Sequence, residues 1–237
     1  MAVKATKSAK TTKPAKTAVA PAKPAKPAKP AKTVQPVKVV VKKRQASVSR
    51  ETKETKVKVE LALDGKGVCK ANTGIGMLDH LIEQIARHGL FDITVEATGD
   101  LKVGQHHTLE DVAKCLGQAF DQALGDRRGI ARMGDAVVPM DEALSLVALD
   151  ISGRGFAVIE APLEGRDISG LDTDLIKHFL QTFAAEAKMN LHARLLAKGN
   201  DHHRVESLFK ALAKSLDIAT SVDTRAGGEI PSTKGKI

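Results

Sequence analysis

A chain of 237 residues has room for one large or two small domains, and it carries a formal net charge of +9. No apolar run approaches the roughly 20 residues a membrane span needs, so no transmembrane helix is expected, and no secretory apolar segment is present. The lack of Trp and Tyr removes an aromatic platform for single-stranded nucleic acid, and two cysteines without a CxxC spacing point to a reducing cytoplasm.

The charge is unevenly placed. Residues 1–50 hold fourteen Lys and Arg and no acid, leaving 23 basic and 28 acidic side chains in residues 51–237, a net −5. Residues 1–45 read as a Lys/Pro/Ala-rich tail, with Lys-Pro-Ala repeating across 23–30. Such a segment buries too little surface to offset its ordering entropy, so disorder is expected there, with the folded domain over 46–237. A basic tail can touch nucleic acid or another anionic surface; a solubilising appendage is the plainer reading. Lys and Pro in place of Arg and Ser stand against a transit peptide.

In the body, Val57, Val59, Leu61 and Leu63 alternate with polar residues, which predicts a half-buried strand. Asp64-Gly65-Lys66-Gly67 signals a hairpin turn, with a return strand over Val68–Thr73. Met77, Leu78, Leu81, Ile82 and Ile85 recur at helical spacing, predicting a helix that carries His80 and stops at Gly89. Phe91–Ala97 alternates as a strand, and Leu101–Val103 suggests another edge. His106-His107-Thr108-Leu109-Glu110 then opens a helix to about Leu124.

The second half repeats the plan. Strands are expected over Ile130–Val138, Ala143–Leu149 and Phe156–Ala161, a helix with His178 over Asp172–Met189, and a strand over Asn190–Ala197. His202-His203-Arg204-Val205-Glu206 opens the last helix, to about Leu216. Each HHxxE helix is preceded by a histidine-bearing helix: His80 lies 26 residues before His106, and His178 lies 24 before His202. This predicts an α+β fold of two internally duplicated half-domains, each a β-sheet packed by two helices, over about 46–128 and 129–225.

On a helix, Glu110 lies three residues from His107 and four from His106, so all three can share one end of a face. Adjacent histidines diverge by about 100° around the axis and cannot easily serve one ion. Two metal ions are the natural reading, each histidine of a pair addressing a different one; solvated helix N-termini are the alternative, weakened by the repetition. The inventory is His80, His106, His107, Glu110, His178, His202, His203 and Glu206. Divided between two ions, it gives each three imidazoles and one carboxylate, with positions left open for chemistry. Imidazole suits Mn, Fe, Zn, Ni and Cu, and carboxylate admits Mn and Mg. Arg132, Arg154, Lys210, Ser232 and Lys234 are candidate anion holders. The Gly-rich end over 227–236 can hold a phosphate or simply fray.

Gly74-Ile75-Gly76-Met77-Leu78-Asp79-His80, Ala86-Arg87-His88-Gly89, Gly99-Asp100-Leu101, His106-His107-Thr108-Leu109-Glu110-Asp111, Gly134–Ala143, Asn200-Asp201-His202-His203 and Pro231-Ser232-Thr233-Lys234-Gly235 carry a resemblance. Over about residues 46–237 the chain resembles the imidazoleglycerol-phosphate dehydratases of histidine biosynthesis. The resemblance implies a duplicated α+β fold, two Mn2+ per subunit at sites between subunits, and a homo-oligomer of 24 chains built from trimers. It implies dehydration of imidazole glycerol phosphate to imidazole acetol phosphate, with manganese favouring the imidazolate ring. The hydroxyl leaves through a diazafulvene-like intermediate, a base then removes the adjacent C–H proton, and the enol tautomerises. Glu54 is the implied acid/base with Asp141 as helper; Gln84, Arg132, Arg154, Lys210, Ser232 and Lys234 are the implied substrate contacts. Two other readings are a catalytically silent metal-dependent assembly with nucleic-acid-binding tails, and a metal-dependent hydrolase.

Overall fold

The computed structural model describes residues 43–237, so the expected tail falls almost wholly outside the described residues. Arg44 already reaches Asp64 (Nε to Oδ2, 3.0 Å). Two strands follow, β1 (Gln45–Glu51) and β2 (Thr55–Ala62), paired antiparallel about the Thr52-Lys53-Glu54 turn. The alternation foretells β2, whose Val57, Val59 and Leu61 are buried; β1, with only Val48 buried, has no such pattern and was not expected. The Thr52 hydroxyl accepts the N–H groups of Glu54 (3.1 Å) and Thr55 (3.0 Å), which fixes the turn that displays Glu54.

The expected hairpin after β2 does not form. β3 (Cys69–Asn72) instead runs parallel to β4 (Asp92–Gly99), and β4 lies between β2 and β3, giving the order β1-β2-β4-β3. The physical reason is Asp92, whose Oδ1 accepts the N–H groups of Lys66 (2.8 Å) and Val68 (3.0 Å). It draws the glycine-rich loop across the end of β4 rather than back along β2. Leu101–Val103 is a turn, not a strand.

Helix α1 (Gly76–Gly89) ends one residue later than Gly89 suggests: the left-handed position is Leu90, with φ 58°. Gly89 serves packing, since a Cβ there would lie 2.3 Å from the Phe91 ring. Helix α2 (His106–Leu124) closes the first half.

The second half has the same plan. β5 (Met133–Met140), β6 (Ala143–Asp150), β7 (Phe156–Glu160) and β10 (Asn190–Leu195) form a sheet in the order β5-β6-β10-β7, again with three antiparallel-linked strands and one parallel edge. Helices α3 (Asp174–Glu186) and α4 (Asp201–Thr220) correspond to α1 and α2. One addition breaks the likeness. Three residues join β3 to α1, whereas residues 161–173 join β7 to α3 and carry the short strands β8 (Asp167–Ile168) and β9 (Leu171–Asp172).

The helices lie between the two sheets. α2 covers β1 and β2, α4 covers β5 and β6, and the halves meet where α1 packs on α4 and α2 packs on α3. Five of the six phenylalanines sit in this layer: Phe91 meets Phe120 at 5.2 Å, Phe120 meets Phe183 at 5.5 Å, and Phe179 meets Phe209 at 5.5 Å between ring centres. Each such pair contributes roughly 0.5–1.5 kcal/mol beyond the area it buries. Gly117 lets α2 approach α3, because a Cβ there would stand 2.7 Å from the Phe183 carbonyl oxygen.

Candidate metal centre

The inter-half contacts pair a histidine helix of one half with an HHxxE helix of the other. α1 against α4 brings His80 to His202 and Glu206: both imidazole Nε2 atoms lie 3.5 Å from Glu206 Oε2. These three donor atoms are within 4.8 Å of one another, and Glu206 is buried. Burial pushes the Glu206 carboxyl up, but Lys210, whose Nζ is 2.8 Å away, outweighs it and holds the group ionised below its ordinary value. Ser169, at the tip of the β8–β9 hairpin, meets His202 Nδ1 at 3.4 Å.

α2 against α3 brings His106 to His178, with ring centres 5.0 Å apart. Glu110 pairs with Lys114 Nζ at 3.0 Å, matching the Glu206–Lys210 pair of the other half. The two histidine pairs are thus related by the duplication, each joining a histidine from the shorter helix to the first histidine of an HHxxE helix; His80, His202 and Glu206 form a three-donor group.

The second histidine of each pair turns elsewhere. His106 and His107 rings stand at 82°, and His202 and His203 at 84°. His107 Nδ1 lies 3.1 Å from Asp100 and 3.7 Å from Glu54. His203 Nδ1 lies 3.1 Å from Glu142 and 3.8 Å from Asp141. Asp100 raises the His107 imidazole above its ordinary value, and Glu142 does the same to His203. Glu142 itself is held down to about 2 by the Asn200 N–H and His203. Glu54 and Asp141 therefore occupy corresponding places, each in the turn of the first hairpin of its half. Asp100 and Glu142 are contacts that sequence reasoning missed. Both lie inside the quoted motifs, but nothing in their spacing marks them as partners of a histidine.

Gln84 is buried one helical turn from His80, its amide nitrogen 3.3 Å from His80 Nε2 and its oxygen 3.1 Å from His88 Nε2. The candidate anion holders divide. Lys210 is beside Glu206 and Met140. Arg132 is at the opposite end of the β5–β6 hairpin, about 25 Å along the strand. There it binds Asp150 (2.7 Å) and the Pro231 carbonyl (2.7 Å), which places Ser232 and Lys234 nearby. Arg154, exposed in the following turn, is next to Gly153, which abuts the C-terminal Ile237. One chain does not bring all five together.

Taken together, the duplicated β-sheet halves and the His/Glu groups at their helical seam define a class: an α+β protein with paired histidine-rich sites that could hold metal. A family model described as imidazoleglycerol-phosphate dehydratase matches residues 73–216. A protein of that name from Dehalococcoides mccartyi is 55% identical over 195 residues, covering 82% of this chain and 98% of the relative. Another from Methanothermobacter thermautotrophicus is 52% identical over 194 residues, covering 82% and 98%. The crystal structure of the Staphylococcus aureus imidazoleglycerol-phosphate dehydratase aligns with a TM-score of 0.69 at 30% identity, covering 75% of this chain and 99% of that one. The Pyrococcus furiosus enzyme aligns at 0.69 and 32%, covering 80% and 100%. The chain belongs to the imidazoleglycerol-phosphate dehydratase family.

Proposed function

We propose that this protein dehydrates imidazole glycerol phosphate to imidazole acetol phosphate in L-histidine biosynthesis, as a cytoplasmic homo-oligomer holding two Mn2+ per chain. The observation that carries the reading is the convergence of His80, His202 and Glu206, from opposite halves, on a space within 4.8 Å. Two imidazoles and a carboxylate suit manganese and leave positions open for a substrate. His106, Glu110 and His178 would hold the second ion. His107 and His203 face away from both groups and would serve ions of neighbouring chains, in keeping with an assembly of 24 built from trimers.

Bound manganese would supply Lewis acidity that draws a proton from the substrate's imidazole ring. The chain's own groups do the rest. Glu54, exposed on the fixed β1–β2 turn, exchanges the proton at the carbon next to the departing hydroxyl, and Asp141 assists from the matching turn. Gln84 orients the ligand beside His80. Lys210 from one place, and Arg132, Arg154, Ser232 and Lys234 from another, hold the phosphate; their separation in one chain fits a site shared between chains.

Product analysis tests this. Incubation with imidazole glycerol phosphate should yield the ketone with its phosphate retained. Release of inorganic phosphate would favour the hydrolase, and no reaction the silent assembly. For the tail, thirteen basic residues without an acid over 1–45 fit a solubilising appendage first and contact with nucleic acid second.

A further inference from the structure

The second histidine of each HHxxE pair makes the same contact in both halves, but with residues from different places. His107 Nδ1 meets both carboxylate oxygens of Asp100, at 3.2 and 3.1 Å, from the loop between β4 and α2. His203 Nδ1 meets Glu142 Oε2 at 3.1 Å, from the turn between β5 and β6. Duplication alone would have placed the two carboxylates at corresponding positions. That each half solves the same problem from a different loop points to the contact itself as what is required.

Both carboxylates are committed. Glu142 Oε1 accepts the Asn200 N–H at 2.7 Å, so the side chain is held at both oxygens. Room for it depends on Gly199, where a Cβ would lie 2.6 Å from Glu142 Cγ. Asp100 is pinned by its backbone, its N–H donating to the Glu54 carbonyl at 3.1 Å and its carbonyl accepting from Val103 at 2.7 Å. Glu54 and Asp141, at 3.7 and 3.8 Å, stand beyond hydrogen-bond reach of the same nitrogens and stay exposed. Among the described residues, neither His107 Nε2 nor His203 Nε2 has a hydrogen-bond partner.

We propose that Asp100 and Glu142 are positioning residues: each accepts Nδ1–H, fixes the tautomer, and aims a free Nε2 lone pair outward at an ion bound mainly by another chain. A neutral imidazole binds metal through one nitrogen, and which one is set by the hydrogen bond the other makes. The proposal rests on the assignment of His107 and His203 as manganese ligands. It also separates adjacent acids by role: Glu142 orients and Asp141 remains free, while Asp100 orients and Glu54 remains free.

The test is manganese binding to the assembled full-length protein, read by the electron-paramagnetic signal of free Mn2+. In Glu142→Gln the amide oxygen keeps the Asn200 N–H and the amide NH2 faces Nδ1, which moves the imidazole proton to Nε2. One ion per chain should weaken by about 10- to 100-fold while the other is retained. Asp100→Ala should weaken the other ion, and the double variant both. Nitrogen-15 spectra of histidine-labelled protein should show the tautomer change at His203 in Glu142→Gln. Two ions still bound with wild-type affinity, or an unchanged tautomer, would overturn the proposal. Equal weakening of both ions by either single variant would also overturn it, since that is general loosening. Failure of the wild-type chain to bind two manganese ions would instead overturn the proposed function.

Discussion

Glu54 and Asp141 show how much the surroundings of a residue decide its part in a site. Each is an exposed acid in a hairpin turn, and each stands just outside hydrogen-bond distance of a histidine whose Nδ1 is already taken. An unengaged carboxylate near a bound substrate is free to move a proton. Glu54→Gln should keep metal and assembly and lower turnover by about 100-fold or more, measured as ketone formation; unchanged turnover would remove Glu54 from the chemistry. Asp92 does the opposite kind of work. The Lys66 and Val68 N–H groups hold its carboxyl below the ordinary value. Its folded value is the lower one, so its stabilising contribution is complete above about pH 4 and is lost as pH falls through the depressed value. Asp92→Ala should therefore lower thermal stability at neutral pH, with the gap to wild type closing in acid. At this scale the repeated patterns that hold six of the eight histidines were legible in the sequence. Asp100, Glu142 and Ser169 were not, because their contacts come from loops that the fold alone brings to the helix ends.

At the scale of elements, the duplication is what brings the histidines of the two halves together. His80 meets His202 and Glu206, and His106 meets His178, where a helix of one half crosses a helix of the other. The α2–α3 crossing depends on Gly117, so Gly117→Val should force these helices apart, at a cost of about 1–3 kcal/mol in stability. It should also lower manganese content towards one per chain, by separating His106 from His178 while leaving His80 and His202 in place. Equal retention of both ions would show that the crossing is not what sets the pair. The helices and buried strands were readable from periodicity. β1 was not, since a sheet-edge strand with a single buried valine has no alternation to read. The path from β2 to β3 was misread because Asp64-Gly65-Lys66-Gly67 is good hairpin chemistry, and the side chain that redirects it, Asp92, lies far along the chain.

On the scale of the whole molecule, three features of one chain fit the proposed oligomer. Its second histidines contact Asp100 and Glu142 rather than the His80–His202–Glu206 group, its phosphate-holding candidates sit at two ends of a hairpin, and its second sheet leaves Met133, Val137 and Phe156 exposed. Each of these is relieved if chains associate, as the proposed oligomer requires. No helix among the described residues is long and apolar enough to cross a membrane. The claim on which the rest depends is that paired HHxxE helices hold two functional manganese ions. The direct measurement is manganese per chain in the purified full-length protein, together with ketone formation from imidazole glycerol phosphate before and after chelation. Two ions per chain, with turnover lost on chelation and restored by Mn2+, is the predicted result; a metal-free chain, or turnover indifferent to chelation, would contradict it.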